Sequence, residues 1–254
     1  MFQEHYPALI VAYLIALGGW LLASRLWPGL WPREPAIDFE RPWMEFGIAL
    51  LGAVGVLVMG YLWSRGIRLP EQGGLGPFLG AVDQVLIFAP ILLVPVIRRQ
   101  SWTSAWLPRA RLGTRVLVGL LLASLAVTTY SLLRDGADAP WIVFGRIWRY
   151  EHLDEMVQVF LEDVAIAILF VRLAGAIGGR WATVVVACLF AAAHIPAMVS
   201  QGETWFELGG LLRDTGLGVA VILVLQRSRD VAWFWCVHFC LDMTQFARIS
   251  GVEH

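Results

Sequence analysis

Five ionisable side chains in the C-terminal half of the chain are of types that can carry proton-transfer chemistry: the adjacent carboxyls Glu162 and Asp163, then His194, then His238 and Asp242. Carboxylates and imidazoles accept and return protons, so groups of these types can serve as general acids and bases. His238 and Asp242 stand at i and i+4 and fall on one face of a helix. Each of the five lies within an apolar run, where an ionisable group is costly and tends to mark a functional site. Any one of them also reads as a satisfied ion pair, Glu162 or Asp163 with Arg213, or His238 with Asp242. The set as a whole points to a site.

The elements that must position these groups are membrane helices. Of 254 residues, 58% are hydrophobic and 15% charged, and the mean hydropathy is +0.68; soluble domains are about 25% charged. Eight apolar segments, at 7–24, 46–64, 77–97, 115–133, 157–178, 181–199, 206–225 and 231–247, each approach the ~20 residues that cross a bilayer as a helix. The expected fold is therefore all-α, a polytopic integral membrane bundle of about eight transmembrane helices. It forms one membrane domain, with residues 1–150 as a scaffold half and 151–254 as the half that encloses the chemistry. The first helix is expected to be retained, since no cleavage pattern follows its apolar run.

Trp20, Trp27, Trp63, Trp102, Trp181 and Trp205 stand at segment ends, where an amphipathic ring suits the headgroup layer. The net charge of −1 and the absence of a basic stripe argue against a nucleic-acid partner. Cys188, Cys236 and Cys240 sit in apolar segments without metal-binding spacing and read as small hydrophobes. All 19 basic residues are Arg, and the chain has neither Lys nor Asn.

Nine ionisable residues fall within the segments: Asp83, Glu162, Asp163, Arg172, His194, Arg213, Asp214, His238 and Asp242, eight of them in the last four. At 1.5 Å of rise per residue, Glu162 and His194 lie ~8 Å below the same membrane face. Asp242 lies at a similar depth, with His238 one turn deeper, and Arg213 enters from that face. Glu162, His194 and His238 also form a possible zinc-ligand set with an open position. The H-E-x-x-H arrangement that would place two histidines on one helix is absent, and no cofactor is expected.

The segments LEDVAIAILFVR, LFAAAHIP and WCVHFCLDMTQF, in this order, resemble the CAAX-protease and bacteriocin-processing (CPBP, or Abi) family of intramembrane glutamic endopeptidases. The resemblance covers about residues 155–247. It implies that Glu162 is the first Glu of a Glu-Glu-x-x-x-Arg motif in which Asp163 replaces the second. Phe190 and His194 form the Phe-x-x-x-His motif, and His238 opens the His-x-x-x-Asn motif, with Asp242 in place of Asn. The Arg of the first motif falls at Ala167, and Arg172 lies ~7 Å further along the helix; Arg213 is the candidate to supply that charge from another helix. The implied roles are Glu162 as general base, His194 as the group orienting the water and His238 as the oxyanion donor.

The expected function is hydrolysis of a peptide or membrane-associated protein by Glu-activated water. The alternative is a non-catalytic homologue serving as a structural or assembly subunit of a larger membrane complex, in line with the departures at Asp163, Ala167 and Asp242. A transporter reading fits less well, because the charges gather in one layer and do not line a route. Membrane lipids, a peptide or membrane-protein substrate and membrane-protein partners are the expected contacts, in a bacterial inner membrane. The Arg bias among the connections places both termini outside the cytoplasm.

Overall fold

A backbone in hydrocarbon must satisfy its hydrogen bonds internally, which favours helices wherever the sequence is apolar for long enough. The computed structural model describes residues 6–32, 37–69, 74–134, 139–195, 198 and 209–246, and among these all regular structure is helical, with no strand. Helices α1 (Tyr6–Leu26), α2 (Pro42–Ser64), α3 (Gly76–Ile97) and α4 (Leu112–Arg134) are long and apolar enough to cross a membrane. They match the first four expected segments.

The second half follows as α5 (Ala139–Ile147), α6 (Leu153–Ile177), α7 (Gly179–Ala193), α8 (Leu211–Ser228) and α9 (Val231–Phe246). Helix α6 has 25 residues, but Glu162, Asp163 and Arg172 break its apolar run. Helix α8 carries Arg213, Asp214 and Arg227, and α7 and α9 have 15 and 16 residues. Four candidate spans, and not eight, therefore stand on length and composition. The expected span ends at 196–197, 199, 206–208 and 247, together with Trp205, lie outside the described residues.

Helix α5 occupies what the sequence reads as a connection. Pro140 in its first turn has a preset helical φ and needs no hydrogen-bond partner for its nitrogen. The helix buries Ile147 and leaves Trp141 82% exposed, a distribution suited to lying along a boundary.

Helix α4 packs between α1 and α9, α6 packs against α2, α3, α7 and α9, and α8 leans on α7. The α4–α9 contact is backbone to backbone: a Cβ on Gly119 would stand 2.5 Å from the Trp233 carbonyl oxygen. Small residues let membrane helices approach in this way. Fully buried Trp233 stacks on Trp20 of α1 at 5.5 Å between ring centroids. Between α8 and α9, the buried Asp230 carboxylate accepts from the Trp31 indole at 2.8 Å, Arg115 at 3.0 Å and the Ala232 amide at 2.9 Å. The last of these caps α9, so one residue ties the loop after α1, helix α4 and the start of α9 together. Helix α2 buries little beyond Glu45, Ala49 and Gly52 and presents Leu51, Val54, Leu57 and Val58 outward, as a lipid-facing helix does.

Candidate active site

Helix α6 brings Glu162 and Asp163 to the bundle interior on adjacent but different directions. Asp163 is 1% exposed and points to α9, where its Oδ1 accepts from His238 Nδ1 at 2.9 Å. The other Asp163 oxygen is buried without a hydrogen-bond partner among the described residues. One turn along α9, Asp242 Oδ2 lies 3.5 Å from His238 Nε2. The imidazole thus stands between two carboxylates.

Glu162 points to a different set of groups. Its Oε1 accepts from Gln158 Nε2 at 2.9 Å, one turn earlier on α6, and its carboxyl lies within electrostatic reach of His238, Asp242 and His194. His194 ends α7 and is exposed. Its Nδ1 is 3.0 Å from the Phe190 carbonyl oxygen, and its ring meets the Phe190 ring edge to face at 4.9 Å. A carbonyl can only accept, so Nδ1 carries the proton and a neutral His194 presents the Nε2 lone pair.

Five of the sequence-predicted groups are therefore brought together: Glu162, Asp163, His194, His238 and Asp242. Phe190 supports them through His194. Arg213 does not join them; it is exposed in the first turn of α8, with its guanidinium over the Tyr6 ring at 4.4 Å. Arg172 is also elsewhere. Fully buried, it donates to the Ile168 carbonyl at 3.0 Å and to the Gln100 side chain, ~15 Å further along α6 than Glu162. Ala167 is completely buried, so no cation from α6 stands beside Glu162. Among the described residues no three His, Cys, Asp or Glu side chains converge as metal ligands, and both nitrogens of His238 are turned to carboxylates.

Two further residues belong to this region. Gln158 holds Glu162, and its i, i+4 spacing on one helix face is the signal that reveals it. Tyr13 of α1 is 5% exposed and within electrostatic reach of Asp242, Asp163 and Glu162. It belongs to a helix that the sequence assigns to the scaffold, and a tyrosine in an apolar run carries no signal of its own. Of the remaining in-span acids, Asp83 accepts the Leu69 amide at 3.0 Å and fixes the chain after α2, while Asp214 stands in the first turn of α8, where a helix favours negative charge.

The fold and site define a helical protein with membrane-spanning character and a buried carboxylate–imidazole cluster. The chain matches no family model, and no curated protein or solved structure matches it.

Proposed function

We propose that this protein is an intramembrane endopeptidase resembling the CPBP proteases, cleaving a peptide or membrane-associated protein with water activated by Glu162. The observation that carries the reading is the Asp163–His238–Asp242 chain across α6 and α9, with Glu162 of α6 within electrostatic reach of His238, of Asp242 and of His194 at the end of α7. In this reading α6–α9 join α1–α4 in the bilayer, giving a bundle of about eight spans in a bacterial inner membrane.

The chemistry follows from the donors and acceptors. Glu162 and the Nε2 lone pair of His194 are both acceptors, so a water between them is held by its two hydrogens with its oxygen lone pair directed away. Attack on the scissile carbonyl forms the C–O bond as Glu162 takes a proton from the water. The tetrahedral oxygen receives a hydrogen bond from the Nε2–H of His238, whose cation Asp163 holds in place. Glu162 then returns its proton to the departing amine nitrogen as the C–N bond breaks. Asp242 lies at the long distance of 3.5 Å from Nε2, which leaves that proton available to a competing acceptor.

One observation favours a second reading, a non-catalytic assembly subunit: buried Ala167 stands where the related motif has Arg, and Arg172 is occupied in the other half of the bundle. A cleavage assay on membrane-anchored peptides, with Glu162→Gln and His194→Ala as controls, separates the two. Cleavage lost in both variants supports the protease, whereas stoichiometric co-purifying partners without cleavage of any substrate favour the subunit. Cleavage that persists in 1,10-phenanthroline accords with Glu-activated water; loss of activity with loss of stoichiometric zinc would move the assignment to metal chemistry.

A further inference from the structure

A second polar region lies at the far end of the bundle, where α2 begins and α3 ends. A cavity of about 630 Å³ opens there between the segment 37–41, the first turn of α2, the end of α3 and the 3₁₀ turn Trp102–Ala105. Its volume falls within the range of small-molecule sites, ~300–1,000 Å³.

The charges around it divide into a satisfied group and an unsatisfied one. Buried Glu45 accepts from Arg98 at 2.7 and 2.9 Å and from Gln100 at 2.8 Å, so its charge is already met. Asp38, Glu40 and Arg41 also line the cavity and make no ion pair among the described residues. Ser104, 2% exposed, contributes a hydroxyl with no hydrogen-bond partner among the described residues. The cavity thus offers two carboxylates, one guanidinium and one waiting hydroxyl.

We infer that this cavity binds the headgroup of an amine-bearing zwitterionic phospholipid, a phosphatidylethanolamine, with its primary ammonium at Asp38 and Glu40 and its phosphate at Arg41 and the Ser104 hydroxyl. Several observations select this occupant. The cavity sits where two membrane-spanning helices end, flanked by the exposed indoles of Trp43 and Trp102, at the depth of lipid headgroups. An anionic headgroup would face Asp38 and Glu40 across the same space. A quaternary ammonium has no N–H to give these carboxylates and is bound by aromatic cages; the one aromatic ring lining the cavity, Phe39, already lies 5.7 Å from the buried Arg172 guanidinium. The Ile37 and Met44 side chains on the lining suit the glycerol and upper acyl chain.

Native mass spectrometry of delipidated protein in detergent, titrated separately with phosphatidylethanolamine, phosphatidylcholine and phosphatidylglycerol, tests this. The expected result is about tenfold tighter retention of phosphatidylethanolamine than of the other two. Asp38→Asn with Glu40→Gln should abolish that preference, and Arg41→Ala should weaken retention of both zwitterionic lipids. Both sets of changes lie on exposed side chains, and Glu162→Gln, ~15 Å along α6 from Arg172, should bind as the unaltered protein does. Equal retention of the three lipids, a preference for phosphatidylglycerol, or a preference that survives the Asp38 and Glu40 changes would overturn the proposal. Soluble phosphoethanolamine binding as tightly as the lipid would overturn the lipid as occupant.

Discussion

Asp163 on α6 and His238 on α9 share a 2.9 Å hydrogen bond between Oδ1 and Nδ1, with the Asp163 side chain fully buried. This contact joins two helices that are 75 residues apart in sequence at these positions. It also makes the neighbouring carboxyls of α6 unequal: Asp163 is occupied in holding an imidazole, while Glu162 accepts from Gln158 and lies within electrostatic reach of both histidines.

That inequality predicts different phenotypes for neighbouring residues. Glu162→Gln keeps an oxygen that can accept from Gln158, so the thermal midpoint in detergent should stay near that of the unaltered protein while cleavage falls by about 10²–10⁴-fold. His238→Ala leaves the Asp163 carboxylate buried without its cation and should destabilise the protein by roughly 3 kcal/mol, read as a lowered unfolding midpoint. Equal stability losses at the two positions would contradict the division of roles.

Gly119 links packing to the site. An alanine there sets its Cβ against the Trp233 backbone and forces α9 away from α4, an overpacking cost of about 1–3 kcal/mol. Because α9 carries His238 and Asp242, cleavage should fall by up to ~100-fold as the site loses alignment. A stability loss with full activity would show that the displacement is absorbed before His238.

Asp230 is the predicted pin at the opposite end of α9. Asp230→Ala removes three acceptor contacts and leaves the Arg115 guanidinium buried, at a cost of about 3–5 kcal/mol. Asp230→Asn retains an oxygen for Trp31 or the cap and should lose distinctly less. Chemical unfolding of the two variants side by side gives the comparison.

Arg213→Ala should leave cleavage unchanged. Its guanidinium stacks on Tyr6 at 4.4 Å, so the charge missing at Ala167 is not supplied from α8. A drop in turnover without a change in folding would restore Arg213 to the site.

Much of the site was legible in the sequence because ionisable residues stand out against an apolar background. Type and depth along straight helices place Glu162, His194, His238, Asp242 and Arg213 in one layer; the structure gathers the first four with Asp163 and turns Arg213 to Tyr6. Gln158 was legible in principle from its i, i+4 relation to Glu162. Asp230 was too, as an N-cap acid directly before an apolar run. Tyr13 was not, since nothing in the sequence of α1 says which of its faces meets α9. Arg213 was misplaced for the same kind of reason: depth along a helix was readable, but direction around it was not. Helix α5 was missed because nine residues are too few to register as a span.

By itself the sequence determined that the chain is helical, that its first four apolar segments suit a bilayer, and which side chains are costly to bury, because these follow from composition and from rise per residue; its count of about eight spans stands at four on length and composition. Only the tertiary structure decided that Asp163 rather than Glu162 holds His238, that Arg213 turns to Tyr6, and that Arg172 donates to Gln100 and the Ile168 carbonyl. These depend on the rotation of each helix about its own axis, which is set by close contacts such as Gly119 on Trp233 and not by any pattern within one segment.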